Sequence, residues 1–144
     1  MDNPPPPMNR PCHFEIHSTD PEKTLDFFAK VFGWQSHKWT GGGEGGGANN
    51  APFDYWLLAT GGDMNATKDK PGINGGLLRT RDGKDRTVNT IQVDNVDRVI
   101  QAVIAAGGTV VVPKMPIPGV GYLAYCNDPA GHLFGVMHQD IGAK

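Results

Sequence analysis

The sequence predicts an α+β fold made of two tandem βαβββ modules. Three observations carry that reading. Apolar residues alternate between a period of two and a helical period of about 3.6. A strand–cap–helix–glycine order occurs twice, 75 positions apart, so that Asp20 falls on Asn95 and Gly33 on Gly108. Short strand candidates follow each helix, separated by stretches rich in Gly, Pro, Asn and Asp. The repeat is one of pattern, with few identities.

The chain starts with MDNPPPPMNRP, and its four prolines, Pro4 to Pro7, favour polyproline II. Residues 1–11 are therefore expected to be a disordered tail, with no signal-peptide pattern. Cys12–Ser18 is the first strand. Asp20-Pro21-Glu22 is a helix start: a capping carboxylate, a proline at the first helical position and an acid beside the helix dipole. Leu25, Phe28, Val31 and Phe32 supply the apolar stripe, and Gly33 ends the helix. Strands are expected at Gln35–Trp39, Asp54–Thr60 and Ile73–Thr80, with a mobile GGGEGGG loop at 41–47. In the second module Val88–Val93 is the first strand, Asn95 the cap, and Val99, Ile100, Val103 and Ile104 the helix stripe. Thr109–Met115, Gly121–Cys126 and His132–His138 complete it. The modules are thus expected at about 12–80 and 87–138, forming one domain, with a tail at 139–144.

The repeat orients the stretch HFEIH at 13–17. Phe14 and Ile16 should face the first helix, as Ile91 and Val93 should face the second. His13, Glu15 and His17 then share the opposite face. Val88, Thr90 and Gln92 share it in the second module.

Composition removes several function classes. Thirteen Lys and Arg are scattered among 144 residues without a basic run, so neither nucleic acid nor an anionic membrane surface is an expected partner. No apolar run approaches the roughly 18 residues of a spanning helix. Two cysteines without CxxC spacing point to a reduced, cytoplasmic setting.

Four stretches carry a family resemblance: HFEIHSTDPEKTLDFFAKVFGW (13–34), PGINGGLLRT (71–80), NTIQVDNVDRVIQAVIAAGGTVVVPK (89–114) and PGVGYLAYCNDPAGHLFGVM (118–137). In that order and spacing they resemble the vicinal oxygen chelate superfamily, which includes glyoxalase I, bleomycin-resistance proteins and extradiol dioxygenases. The resemblance implies a cup-shaped, partly open barrel with helices outside, a small-molecule ligand in the cup, and a homodimer.

It also implies where a metal would sit: one ligand on the first and one on the last strand of each module. The first-strand position lies seven residues before the capping Asp20, at His13, and its repeat partner is Val88. The last-strand position lies four residues after the glycine of D-P-x-G, at Gly135, with its counterpart near Gly76. Only His13 carries a donor side chain. His37, His132 and His138 fall at none of these positions. About three protein ligands are usual for a catalytic ion, so the expectation is a cup without the family's metal.

Three activities are compatible with this pattern. The first is a metal-free binder of a small organic molecule, with His13, Glu15, His17, Thr90 and Gln92 as polar anchors and Trp56, Tyr122 and Phe134 as aromatic walls. These three come from a longer set that includes Trp39, Tyr55, Tyr125 and Met137, of which alternation admits about half. The second is a lyase, isomerase or dioxygenase using His13, non-standard ligands and a divalent ion (Zn, Ni, Mn or Fe). The third is a metal-free acid–base enzyme with Glu15 and His17 as the catalytic pair. Glycines at Gly75, Gly76 and Gly135 are read as room for the ligand.

Overall fold

The computed structural model describes residues 8–39, 54–61 and 72–144. The proline run and the glycine-rich loop lie outside these residues. The elements are β1 (Arg10–Ser18), α1 (Pro21–Phe32), β2 (Gln35–Lys38), β3 (Tyr55–Ala59), β4 (Gly75–Arg79), β5 (Arg86–Gln92), α2 (Val96–Ala105), β6 (Thr109–Ile117), β7 (Gly121–Asn127) and β8 (Leu133–Gln139). This is the expected α+β order, βαβββ twice. The chain divides into one unit at His13–Asn89 and another formed by the residues up to Cys12 with Thr90–Lys144.

In the His13–Asn89 unit the strand order is β2-β3-β4-β1. β1 runs parallel to β4, and the other pairs are antiparallel. Asp20 caps α1 by accepting from the Lys23 N–H at 3.3 Å, and Pro21 occupies the first turn. Gly33 closes the helix at φ +73°, a left-handed turn that favours glycine, and donates to the Ala29 carbonyl at 2.9 Å. Trp56, Leu58 and Leu77 form the core, with Phe14, Ile16, Leu25 and Trp34 packed against it. Phe14 and Ile16 are thus on the side of β1 that alternation predicts.

The predicted apolar stripe of α1 is only partly used. Leu25 packs on the core and Phe28 stacks on Trp34 with ring centroids 4.8 Å apart. Val31 and Phe32 remain exposed, at 55% and 61%. The contact surface therefore lies toward the first two turns of the helix.

The second unit repeats the order as β5-β8-β7-β6, with β5 parallel to β8. Asn95 caps α2 by accepting from the Arg98 N–H at 3.0 Å, each residue 75 positions after its counterpart in α1. Val93, Val96, Ala124 and Val136 form this core, with Ile91, Val99, Ile100 and Phe134 against it. At the end of α2 the register slips by one. Gly107, at φ +93°, makes the left-handed turn rather than Gly108. Gly108 is constrained by space instead: a Cβ there would lie 2.6 Å from the Asn127 carbonyl oxygen.

β6 runs past the expected Met115 to Ile117 through Pro113 and Pro116. It lies at the end of this unit's strand order and, among the described residues, pairs with β7 alone, with register shifts between Val110 and Met115. Such bulged edge positions tolerate proline. The last residues, expected as a tail, turn back on the fold: Gly119 donates to the Ala143 carbonyl at 3.2 Å, and Ala143 is buried. At the other end Asn9 donates to the Gln92 carbonyl at 2.6 Å, and the Cys12 thiol approaches the Thr90 carbonyl at 3.6 Å. The strand therefore begins two residues earlier than expected.

Candidate functional site

Period two on β1 places His13, Glu15 and His17 on one face, and the structure joins them through a fourth residue. The His17 Nε2 lies 3.0 Å from Glu15 Oε1. The Tyr55 hydroxyl donates to Glu15 Oε2 at 3.1 Å and lies 2.8 Å from His13 Nε2. A continuous hydrogen-bonded chain thus runs His13–Tyr55–Glu15–His17.

Tyr55 reaches this face because of the sheet register. It pairs with Leu78 on β4, while Gly76, two residues earlier, is paired with both Leu57 and Glu15. The phenol lies diagonally across Gly76, within reach of an aromatic side chain. A Cβ at Gly76 would be 1.9 Å from Tyr55 Oη and 2.3 Å from its Cζ. The space left by this glycine is therefore filled by Tyr55. The space at Gly75 is filled by the Phe14 ring, 2.6 Å from a notional Cβ. The reading of Gly75 and Gly76 as ligand room is thereby corrected.

Burial grades along the chain. Glu15 is 3% exposed and His17 8%, whereas His13 and Tyr55 are partly exposed. A buried carboxylate is costly unless its oxygens accept hydrogen bonds, and here both do. Burial holds the His13 imidazole below its ordinary value, and the nearby Glu15 carboxylate partly offsets that by favouring the charged ring.

Beside the His17 end lies a cavity of about 500 Å³. Its lining includes Ile16, His17, Thr24, Asp85, Arg86 and Thr87, but not His13, Glu15 or Tyr55. Cavities of roughly 300–1,000 Å³ suit small organic ligands. Its polar groups are tied down locally: Ser18 Oγ is 2.7 Å from Thr24 Oγ1, and the Thr19 N–H donates to Asp85 at 2.7 Å.

The remaining predicted site residues have the following surroundings within their own units. Trp56 is in the core of its unit, with Lys38 Nζ 5.3 Å from its ring centroid. Phe134 packs against the apolar cluster under α2. Tyr122 is half-buried between Lys114, whose Nζ is 4.7 Å from the ring centroid, and the His138 ring at 5.3 Å. Thr90 and Gln92 are buried, and the Thr90 hydroxyl has no partner among the described residues. His138 accepts from the Val96 N–H at 2.8 Å, satisfying a free donor at the start of α2. His132 donates its backbone N–H at 2.8 Å to Asp128, which closes the D-P-x-G turn.

The parallel registers pair Glu15 with Gly76 and Thr90 with Gly135. Glu15 and Thr90 are 75 apart, so the two glycines are equivalent in their modules. The model of the Glyoxalase/Bleomycin resistance protein/Dioxygenase superfamily matches residues 10–136. The chain belongs to this superfamily. Among its relatives is the anthracycline biosynthesis protein DnrV of Streptomyces peucetius, 27% identical over 138 residues, covering 91% of this chain and 47% of the relative. The chain thus spans about half the length of the curated relatives it matches. Methylmalonyl-CoA epimerase of Mycobacterium tuberculosis shares the fold at TM-score 0.60 and 12% identity, over 90% of this chain and 87% of that one. The Mn(II)-bound glyoxalase of Novosphingobium aromaticivorans does so at TM-score 0.58 and 21% identity, over 94% of this chain and 40% of that one.

Of the four metal positions that the resemblance implies, only His13 carries a donor side chain. Gly76, Val88 and Gly135 offer no donor, and the Nε2 of His13 is engaged by Tyr55. Among the described residues no group of three His, Cys, Asp or Glu side chains is placed to hold an ion.

Proposed function

We propose that this superfamily member binds a small organic molecule against the polar face of β1 without the family's four-ligand metal site. The supporting observation is the Tyr55 hydroxyl, which lies over Gly76 and links His13 to Glu15. An organic hydroxyl occupies the space into which a ligand side chain at that position would project. A cavity beside His17 lies at the far end of that face, and His17 is the member of the linked array that lines it. The relatedness to a protein named for anthracycline biosynthesis makes an anthracycline a reasonable first compound. The test has two arms. Metal analysis of protein purified without chelators should find no stoichiometric Zn, Ni, Mn or Fe; finding one refutes the metal-free site. Thermal-shift titration with aromatic and carbonyl compounds should give saturable stabilisation that weakens in Tyr55→Phe.

A second reading rests on the 3.0 Å contact between the buried Glu15 and His17. Such a pair can act as base and acid on a carbonyl compound. Solvent deuterium incorporation into a bound carbonyl compound, lost in Glu15→Gln, supports it. Incorporation that persists in that variant excludes it. We also propose a cytoplasmic homodimer, as the family resemblance implies; light scattering in solution giving the monomer mass would reject the dimer.

A further inference from the structure

We infer that the Tyr55–Glu15–His17 array fixes His13 as the Nε2–H tautomer, so that its Nδ1 is a hydrogen-bond acceptor for a ligand O–H or N–H. This rests on the small-molecule reading and names the ligand's chemistry at the His13 end of the face, four residues along β1 from the cavity beside His17.

The argument is a count of protons. In its ionised form the Glu15 carboxylate can only accept. It takes one hydrogen bond from Tyr55 and one from His17. The phenol has a single proton, and that proton is committed to Glu15. At the 2.8 Å contact with His13, the Tyr55 oxygen therefore accepts, and Nε2 of His13 donates. In a neutral imidazole the other nitrogen then carries the lone pair. His13 Nδ1 has no partner among the described residues, and the ring is partly exposed while Glu15 and His17 are buried. The buried end of the chain is satisfied internally, and the accessible end presents an acceptor. The complementary ligand group is a donor: a phenol, an alcohol, an enol or an amide N–H. Tyr55 acts as a positioning residue, holding the ring by its far nitrogen.

The test is two-bond proton–nitrogen NMR on the ¹⁵N-labelled 144-residue chain at a pH above the ordinary imidazole value of about 6.5. His13→Asn identifies the signal among the five histidines. The expected result is a pyridine-type Nδ1 and a directly visible Nε2–H proton, protected from exchange by Tyr55. In Tyr55→Phe that proton should disappear while the amide spectrum stays folded. An Nδ1–H tautomer in the native chain, or an unchanged Nε2–H in Tyr55→Phe, overturns the assignment. Phenol and anisole then serve as matched probes. Phenol should shift the His13 Nδ1 resonance, and anisole, which lacks the O–H, should not. Equal responses, or none to either, overturn the donor class. The tautomer is measured without any ligand and the metal content separately, so a failure of this inference is distinguishable from a failure of the small-molecule reading.

Discussion

Substituting Gly76 by alanine should disable the site without replacing any of its four side chains. The added Cβ would fall 1.9 Å from Tyr55 Oη and 2.7 Å from its Cε1, far inside contact distance. Both atoms belong to the outer part of a side chain, so the ring can swing away and the sheet can survive. The cost is the two hydrogen bonds that Tyr55 makes to His13 and Glu15. A neutral bond contributes roughly 0.5–1.5 kcal/mol and one to a charged group roughly 1.5–3 kcal/mol. A gain of about 0.4–1 kcal/mol from the stiffer unfolded chain opposes this. The net expectation is a loss of about 2.5 kcal/mol. With Tyr55→Ala already in place the clash partner is gone, and Gly76→Ala should cost about nothing. Urea unfolding of the four proteins, followed by tryptophan fluorescence, measures the coupling between the two positions. A coupling below about 0.5 kcal/mol, the limit of ordinary additivity, would refute the close approach of Tyr55 to Gly76.

Gly121→Ala should be worse than Gly76→Ala, because its Cβ would meet the His138 backbone carbonyl oxygen at 2.0 Å and backbone cannot swing aside; the reverse order of urea midpoints would contradict this. Thr90→Val should be neutral or stabilising by about 1 kcal/mol, since it removes a buried hydroxyl without a partner among the described residues; a loss larger than that in thermal or urea unfolding would reveal a partner. Because burial lowers the His13 value in the fold, its contribution to stability is fully present above about pH 6.5 and is lost as pH falls through the lower folded value. Unfolding free energies of wild type and His13→Asn should therefore converge on acidification, and parallel curves would show that His13 does not titrate differently on folding.

Elements governed by local chemistry were legible in the sequence. Asp20 and Asn95 cap helices that start 75 residues apart because capping depends on a side chain and the next three residues. Alternation correctly set Phe14 and Ile16 apart from His13, Glu15 and His17. What depended on pairing across the sheet was less visible. Tyr55 and Trp56 are adjacent, so one must face each side, and the pattern alone did not say that Tyr55 takes the polar one. The cue was present in Gly76: an aromatic residue often covers a strand glycine, and a buried glutamate needs donors. The role of His138 as a donor's partner at α2 joins residues 42 apart and has no local signature. The one-residue slip at the end of α2 arose because Gly107 and Gly108 are both available, and only Gly107 is free of the close contact at Asn127.

The four linked side chains differ in how far apart the chain holds them. His17 and Glu15 are two residues apart, whereas Tyr55 is 40 residues from Glu15 and 42 from His13. Closing a loop of that length costs about 3 kcal/mol in chain entropy before any contact is made. The carboxylate–imidazole pair is therefore within reach of an isolated β1, while the hydroxyl bridge requires β3 already seated on β4. The bridge thus reports whether the unit is fully assembled. Tyr55→Phe should accelerate unfolding and leave the folding rate nearly unchanged, as expected of an interaction made after the transition state. A matching drop in the folding rate would instead place the bridge in the nucleus.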